Sequence, residues 1–199
     1  MPGDPPDLSA AVAALSAGEA VVVPTDTVYG VAVAARVRGA TAKLFALKRR
    51  PTGVPLAVLV ADLAQAGELG VIEGAAATVA ARWWPGPLTL VCRRQPGVEL
   101  ELGDDDTTIG LRCPDLSALR ALARQVGPLA TTSANRHGEP TPELAADAAA
   151  GLAGEVAVVV DGGRCAGLPS TVLDVTTVPW QVHREGAVSA VALGVISRE

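Results

Sequence analysis

Short β-branched runs alternate with stretches of helical period along most of this chain, and nearly every run breaks off into polar residues. Residues 20–23, 28–35, 56–60, 88–92, 108–112, 128–131 and 156–160 have the composition of strands. Between them, residues 40–48, 63–69, 75–84, 116–126 and 142–150 place apolar side chains at helical spacing. A first helix follows Asp7, which can cap it, and Gly18 is placed to stop it. Beyond residue 160 only strands remain, at 171–175 and 181–184. Such interleaving predicts an α/β fold: one mixed sheet with helices packed on its faces. With only five aromatic residues (Tyr29, Phe45, Trp83, Trp84, Trp180) among 199, its core must be built from Ala, Val and Leu. No linker composition divides the chain, so a single domain over residues 1–199 is expected.

The net charge of −5 argues against broad non-specific nucleic-acid binding, which needs a basic footprint, but leaves room for a local basic cleft. Cys92, Cys113 and Cys165 are odd in number, far apart and form no C-x-x-C, which fits small buried thiols in a reducing compartment better than bridges. The opening residues lack the charged and apolar regions of a leader, and no apolar run approaches eighteen residues, so a soluble cytoplasmic protein is expected. His137 and His183 have no other ligand at metal spacing, and no protein metal site is assigned. The acidic stretch 99–106 reads as a solvated loop, because neighbouring carboxylates resist burial.

Polar residues gather where strands end, which is where ligand crevices form in α/β sheets. Residues 24–30, Pro-Thr-Asp-Thr-Val-Tyr-Gly, fit either a turn in which Asp26 and the hydroxyls bond nearby backbone or a rim that holds a small polar substrate. Lys48-Arg49-Arg50-Pro51 fits either a helix end whose cations complement the dipole or an anion site. In the second reading Pro51 pushes Arg50 out of helical geometry, so that Lys48 and Arg50 converge on a phosphate as point charge and fork. Ser133-Ala-Asn135 is an ordinary loop start or a pair of donors for phosphate or base edges. Ser170-Thr171 caps a strand, and Arg184 is an edge charge or a phosphate clamp. No P-loop, dinucleotide fingerprint or nucleophile elbow occurs.

Taken in order, six segments resemble the threonylcarbamoyl-AMP synthase family in its stand-alone YrdC/TsaC-type form. They are residues 24–30; Lys48-Arg49-Arg50-Pro51 with Pro55-Leu56; Trp84-Pro-Gly-Pro-Leu-Thr89; Ile109-Gly-Leu-Arg112; Thr132-Ser-Ala-Asn135; and Ser170-Thr-Val-Leu-Asp174. The resemblance spans about residues 8–190. It implies a twisted YrdC/RibB-like sheet with a concave basic cleft, and a nucleotidyltransferase that makes threonylcarbamoyl-adenylate and pyrophosphate from L-threonine, bicarbonate and ATP. By position, Thr27, Arg112, Ser133 and Ser170 would contact threonine. Lys48, Arg50, Thr108, Asn135 and Arg184 would contact ATP, with Lys48 and Arg50 nearest the chemistry and Mg2+ carried on the phosphates. The implied partners are tRNA threonylcarbamoyl-transferase proteins downstream and a tRNA or other double-stranded RNA contact; no membrane is implied. The chain departs from the family pattern at Val54, where members often carry Asn, and at Leu59, where they carry His near the amino-acid site; both bear on which amino acid is taken. Two other classes compete: a nucleotide- or RNA-binding module without turnover, and a synthase of a different carbamoyl-adenylate, as in hydrogenase-maturation proteins.

Overall fold

The computed structural model describes residues 8–136, 138–165 and 167–195. In chain order its elements are α1 (Ser9–Ser16), β1 (Val21–Val23), β2 (Gly30–Ala34), α2 (Ala40–Lys48), β3 (Ala57–Leu59), α3 (Leu63–Gly67), α4 (Gly74–Trp83), β4 (Leu88–Arg93), β5 (Thr108–Arg112), α5 (Ser117–Val126), β6 (Leu129–Ser133), α6 (Ala145–Ala150), β7 (Val158–Val159), β8 (Thr171–Asp174), β9 (Gln181–Arg184) and α7 (Ala190–Leu193). Every expected strand and helix is present. The β-branched runs form strands because their χ1-restricted side chains pack on a pleated surface, whereas Ala- and Leu-rich segments keep rotamer freedom in helices.

All nine strands join one mixed sheet in the order β7-β1-β2-β6-β3-β5-β4-β8-β9. The β3–β5, β4–β8 and β1–β7 pairs are parallel, and the rest antiparallel. One face is covered by helices along most of its width, with Val159 of the edge strand β7 left exposed. There Val31, Val58, Ile109 and Leu111 meet Leu44 and Leu47 of α2, Ala66 of α3 and Ala148 of α6, while Leu88, Leu90 and Leu173 meet Ala80 of α4 and Leu193 of α7. The other face is only half covered. Leu15 of α1 and Leu119 and Leu122 of α5 pack on Ala32, Ala34, Leu59 and Leu129, and the rest of that face is left to form a cleft. Among the described residues, no helix is long and apolar enough to cross a membrane.

Several local expectations shift. Asp7, the expected cap of the first helix, lies outside the described residues, and α1 starts without a side-chain cap. The helix expected over 142–150 begins only at Ala145, because Glu143 is spent pairing with the 164–165 segment: its carbonyl takes the Cys165 N–H and its carboxylate the Arg164 guanidinium. Helix α7 was not expected; a short Ala-Val-Ala-Leu run capped by Ser189 carries little periodicity. The acidic loop keeps Glu99, Glu101, Asp104 and Asp106 exposed yet is anchored, since Leu102 is buried in the core and the Thr107 and Thr108 hydroxyls hold the half-buried Asp105 carboxyl down at about 2. Cys92 and Cys113 are buried and Cys165 half-buried, none of them bridged, and burial pushes the Cys92 thiol up to about 12.

Two glycines give the packing a direct test. A Cβ on Gly186 would lie 2.0 Å from the Pro169 carbonyl oxygen, which is backbone and cannot swing aside. A Cβ on Gly67, near the end of α3, would meet nothing within 4 Å. Gly186→Ala is expected to lower stability by about 1–3 kcal/mol in urea unfolding, while Gly67→Ala leaves it unchanged or raises it by about 0.4–1 kcal/mol.

Candidate functional site

The bare part of the half-covered face is a cleft of about 380 Å³. Its floor is small: Gly30, Ala57, Thr89, Thr131 and Val172 line it. Arg50 after α2, Arg112 of β5 and Arg184 of β9 face into it, and Glu139 is the one carboxylate among its described lining residues. Among the described lining residues Tyr29 is the sole aromatic, and it is fully buried, its hydroxyl donating to the Gly163 carbonyl at 2.6 Å.

Arg112 ends β5 and is buried, so its charge must be matched inside the fold. Its Nε donates to the Gly86 carbonyl at 3.1 Å, one terminal nitrogen to the Thr27 hydroxyl at 3.0 Å and the other to Asp26 Oδ1 at 2.6 Å. A guanidinium has five N–H donors, and three are taken, which leaves two for a ligand. The turn expected of the 24–30 segment is present, but Thr25 rather than Asp26 makes it. Thr25 makes the local turn, its hydroxyl accepting from the Thr27 and Val28 amides and donating to the Val28 carbonyl, while Asp26 and Thr27 reach across to Arg112.

The basic turn is bent by a residue the sequence reading passed over. Arg49 sits in the left-handed region at φ 50°, ψ 41°, where Gly is usual, and the Arg49 and Arg50 amides close the helix end on the carbonyls of Ala46 and Phe45. That turn, rather than Pro51 alone, aims Arg50 into the cleft. Arg50 is then fixed by donating to the Val54 and Pro55 carbonyls at 2.8 and 2.9 Å. Burial, and then the facing Arg184, lower its pKa; Arg184 is lowered by burial and by Arg112. Cations that repel one another around a concavity fit an anion.

Lys48 does not line the cleft. It lies behind it, 2% exposed, with its ammonium donating to the Ser133 carbonyl at 2.6 Å and to Asn135 Oδ1 at 2.9 Å. Asn135 Oδ1 also accepts from the Ser133 hydroxyl at 2.5 Å, and its amide nitrogen donates to the Arg136 and Glu139 carbonyls. Asn135 thus ties Arg136 and Glu139 to the end of β6, and the Ser133 hydroxyl, which lines the cleft, also accepts from Lys48 at 3.4 Å. Ser170 lines the opposite corner, where Arg184 donates twice to its carbonyl. Thr108 shares the Arg112 face of its strand but is not among the lining residues, and its hydroxyl donates to Asp105. Val54 is 39% exposed beside Arg50, and Leu59 is part of the cleft floor, buried against the α1–α5 layer.

Sequence reasoning missed Thr89, Thr131, Glu139 and Thr141, all lining residues. Thr89 carried one signal, a hydroxyl flanked by leucines in an apolar stretch of strand, whereas Thr131 runs straight into Thr132 and Ser133 and does not stand out. His183 is paired with Asp174 at 3.0 Å, and His137 lies outside the described residues. Among the described residues no group of three or more His, Cys, Asp or Glu is placed to hold a metal ion.

The profile of the Sua5–YciO–YrdC family, described as "Telomere recombination", matches residues 13–186. This chain belongs to the Sua5–YciO–YrdC family. A Mycobacterium tuberculosis protein is 40% identical to it over 189 residues, which span 90% of this chain and 83% of that one. The threonylcarbamoyl-AMP synthase of Bacillus subtilis is 38% identical over 172 residues, 84% of this chain and 50% of that one. The solved structure of Pyrococcus abyssi Sua5 complexed with L-threonine superposes with a TM-score of 0.83 at 33% identity, covering 88% of this chain and 53% of that one. The chain thus spans about half the length of the Bacillus and Pyrococcus relatives.

In this family member the Lys48 ammonium has a measurable signature. Burial first, and then the Arg50 charge, lower its pKa to about 8 from 10.5. The unfolded lysine keeps its proton up to about 10.5, so the penalty for holding a charged Lys48 is full below pH 8 and fades as pH rises between the two values. Stability of the wild type relative to Lys48→Met is therefore expected to climb between about pH 8 and pH 10.5 in urea titrations, and a flat difference would contradict it.

Proposed function

We propose that this chain is an L-threonylcarbamoyladenylate synthase: it condenses the threonine amine with bicarbonate and transfers AMP from ATP to the resulting carbamate, releasing pyrophosphate. The observation that carries the reading is the convergence of Arg50, Arg112 and Arg184 on a cleft lined with hydroxyls and a single carboxylate. Three cations suit a triphosphate on one side and a carboxylate on the other. Support also comes from family membership and from relatives that bear the synthase name.

In this reading the two free N–H groups of Arg112 take the threonine carboxylate, with the Thr27 and Ser170 hydroxyls beside it. Arg50 and Arg184 take phosphate oxygens, while Lys48 holds the Ser133–Asn135 rim in shape with its positive charge beneath it. Loss of water on condensation gives the carbamate, whose oxygen attacks the α-phosphorus as pyrophosphate departs. Such transfer depends on alignment and charge stabilisation, and no protein nucleophile is needed. Magnesium would enter on the phosphates, because a lining with one carboxylate, Glu139, makes a poor protein site for it. One domain, about residues 8–190, would carry both substrates; a tRNA threonylcarbamoyl-transferase would consume the adenylate in the cytoplasm, with tRNA or other double-stranded RNA as a further partner. The small floor and the apolar Leu59 make the threonine methyl welcome where a polar side chain would lose its water.

Pyrophosphate release is expected to require both L-threonine and bicarbonate. Equal rates with serine, or with no amino acid, would overturn the assignment. Arg50→Ala is expected to weaken ATP binding by roughly tenfold to a hundredfold, the worth of one charge-assisted contact, whereas Arg49→Ala leaves it near wild type because Arg49 is exposed. Equal effects in calorimetric ATP titrations would reduce the basic turn to a solvated helix end.

A further inference from the structure

Thr89 stands in the Trp84–Thr89 segment and has no role in the reading above, yet it is the polar member of an otherwise apolar stretch of β4 between Leu88 and Leu90. It is 4% exposed and lines the cleft. Valine would fill the same space and suit a strand better, so the hydroxyl needs a reason. Its hydroxyl lies 2.9 Å from the Ser170 hydroxyl, a bond in which either oxygen can donate, and Arg184 donates to that same Ser170 oxygen at 3.2 Å. A serine oxygen has two acceptor positions and one proton. With Arg184 and Thr89 both donating, the two positions are filled and the Ser170 proton is left for a third partner. The β4–β5 register, carried on by one residue from Leu90–Leu111, sets Thr89 beside Arg112, the residue read above as the carboxylate anchor. Ser170 and Arg112 line the same cleft, so an oxygen of a molecule held on Arg112 is an available third partner.

We infer that Thr89 is a positioning residue for the amino-acid half of the cleft: it donates to Ser170 and thereby turns the Ser170 hydroxyl proton toward a substrate carboxylate or carbamate oxygen. The inference rests on the synthase reading. Two donors on one oxygen also polarise its O–H, which strengthens the bond it gives. Thr89 acts through Ser170 and needs no contact of its own with the reacting atoms.

The test is steady-state kinetics of pyrophosphate release on Thr89→Val, Thr89→Ser, Ser170→Ala and the Thr89→Val/Ser170→Ala pair, with calorimetric titration of ATP and of L-threonine in the presence of ATP. Thr89→Val is expected to raise the KM for threonine roughly threefold to tenfold, the worth of one hydrogen bond, and to leave the KM for ATP and the thermal midpoint unchanged. Thr89→Ser, which keeps the hydroxyl, restores the threonine KM. In the Ser170→Ala background Thr89→Val adds nothing, because the group it orients is gone. The role is overturned if Thr89→Val matches the wild type, if it weakens both substrates alike, or if its cost adds in full to that of Ser170→Ala. A wild-type chain that binds neither substrate overturns the synthase reading and this role together; one that binds both, with Thr89→Val binding as well as it does, overturns this role alone.

Discussion

A guanidinium taken out of water at the end of a central strand is the constraint around which this cleft is built. Arg112 is buried, and a buried charge left unmatched would cost several kcal/mol. The fold meets that demand from three separate places: the Gly86 carbonyl before β4, the Thr27 hydroxyl and the Asp26 carboxylate between β1 and β2. Because those partners lie 26, 85 and 86 residues away in the chain, satisfying Arg112 also fixes the 24–29 turn over one side of the cleft. The same bonds leave two of its donors for a ligand, so one group both locks the architecture and presents its chemistry.

Lys48 is a second buried cation used differently. It offers no free donor surface to the cleft and instead gathers the Ser133 carbonyl and the Asn135 side chain, which in turn holds the Arg136 and Glu139 carbonyls. The cations that face the cleft besides Arg112 are Arg50 and Arg184, whose guanidinium groups are themselves pinned on carbonyls of Val54, Pro55 and Ser170. Anchored arginines lose little side-chain entropy when a ligand arrives, which is the physical advantage of spending part of each fork on the protein.

Much of the fold was readable because hydrophobic period is a local property. The strands at 108–112 and 181–184 and the helix at 40–48 have the observed bounds. The helix expected over 142–150 was shortened by a long-range event, the capture of Glu143 by the 164–165 segment, which no local pattern encodes. At the basic turn the sequence pointed to Pro51, while the backbone places the bend at Arg49, a non-glycine residue held in the left-handed region by the contacts around it. At the site, residue types at strand ends pointed to Thr27, Arg112, Ser133 and Ser170, but Thr89 and Thr131 look like ordinary β-branched strand residues until the uncovered face is known.

The sequence by itself determined that this is an α/β chain with an aliphatic core and hydroxyl- and arginine-bearing strand ends, since periodicity and residue chemistry are written locally. The tertiary structure decided which of those ends meet. Strand order places β5 between β3 and β4 and brings β8 beside β4, and the α1–α5 layer stops halfway across one face. Order and coverage follow from how whole elements bury their apolar surface against one another, a sum over distant parts of the chain. For that reason the cleft, and the separation of its arginines into a buried anchor and two less buried forks, exist only once the sheet is complete.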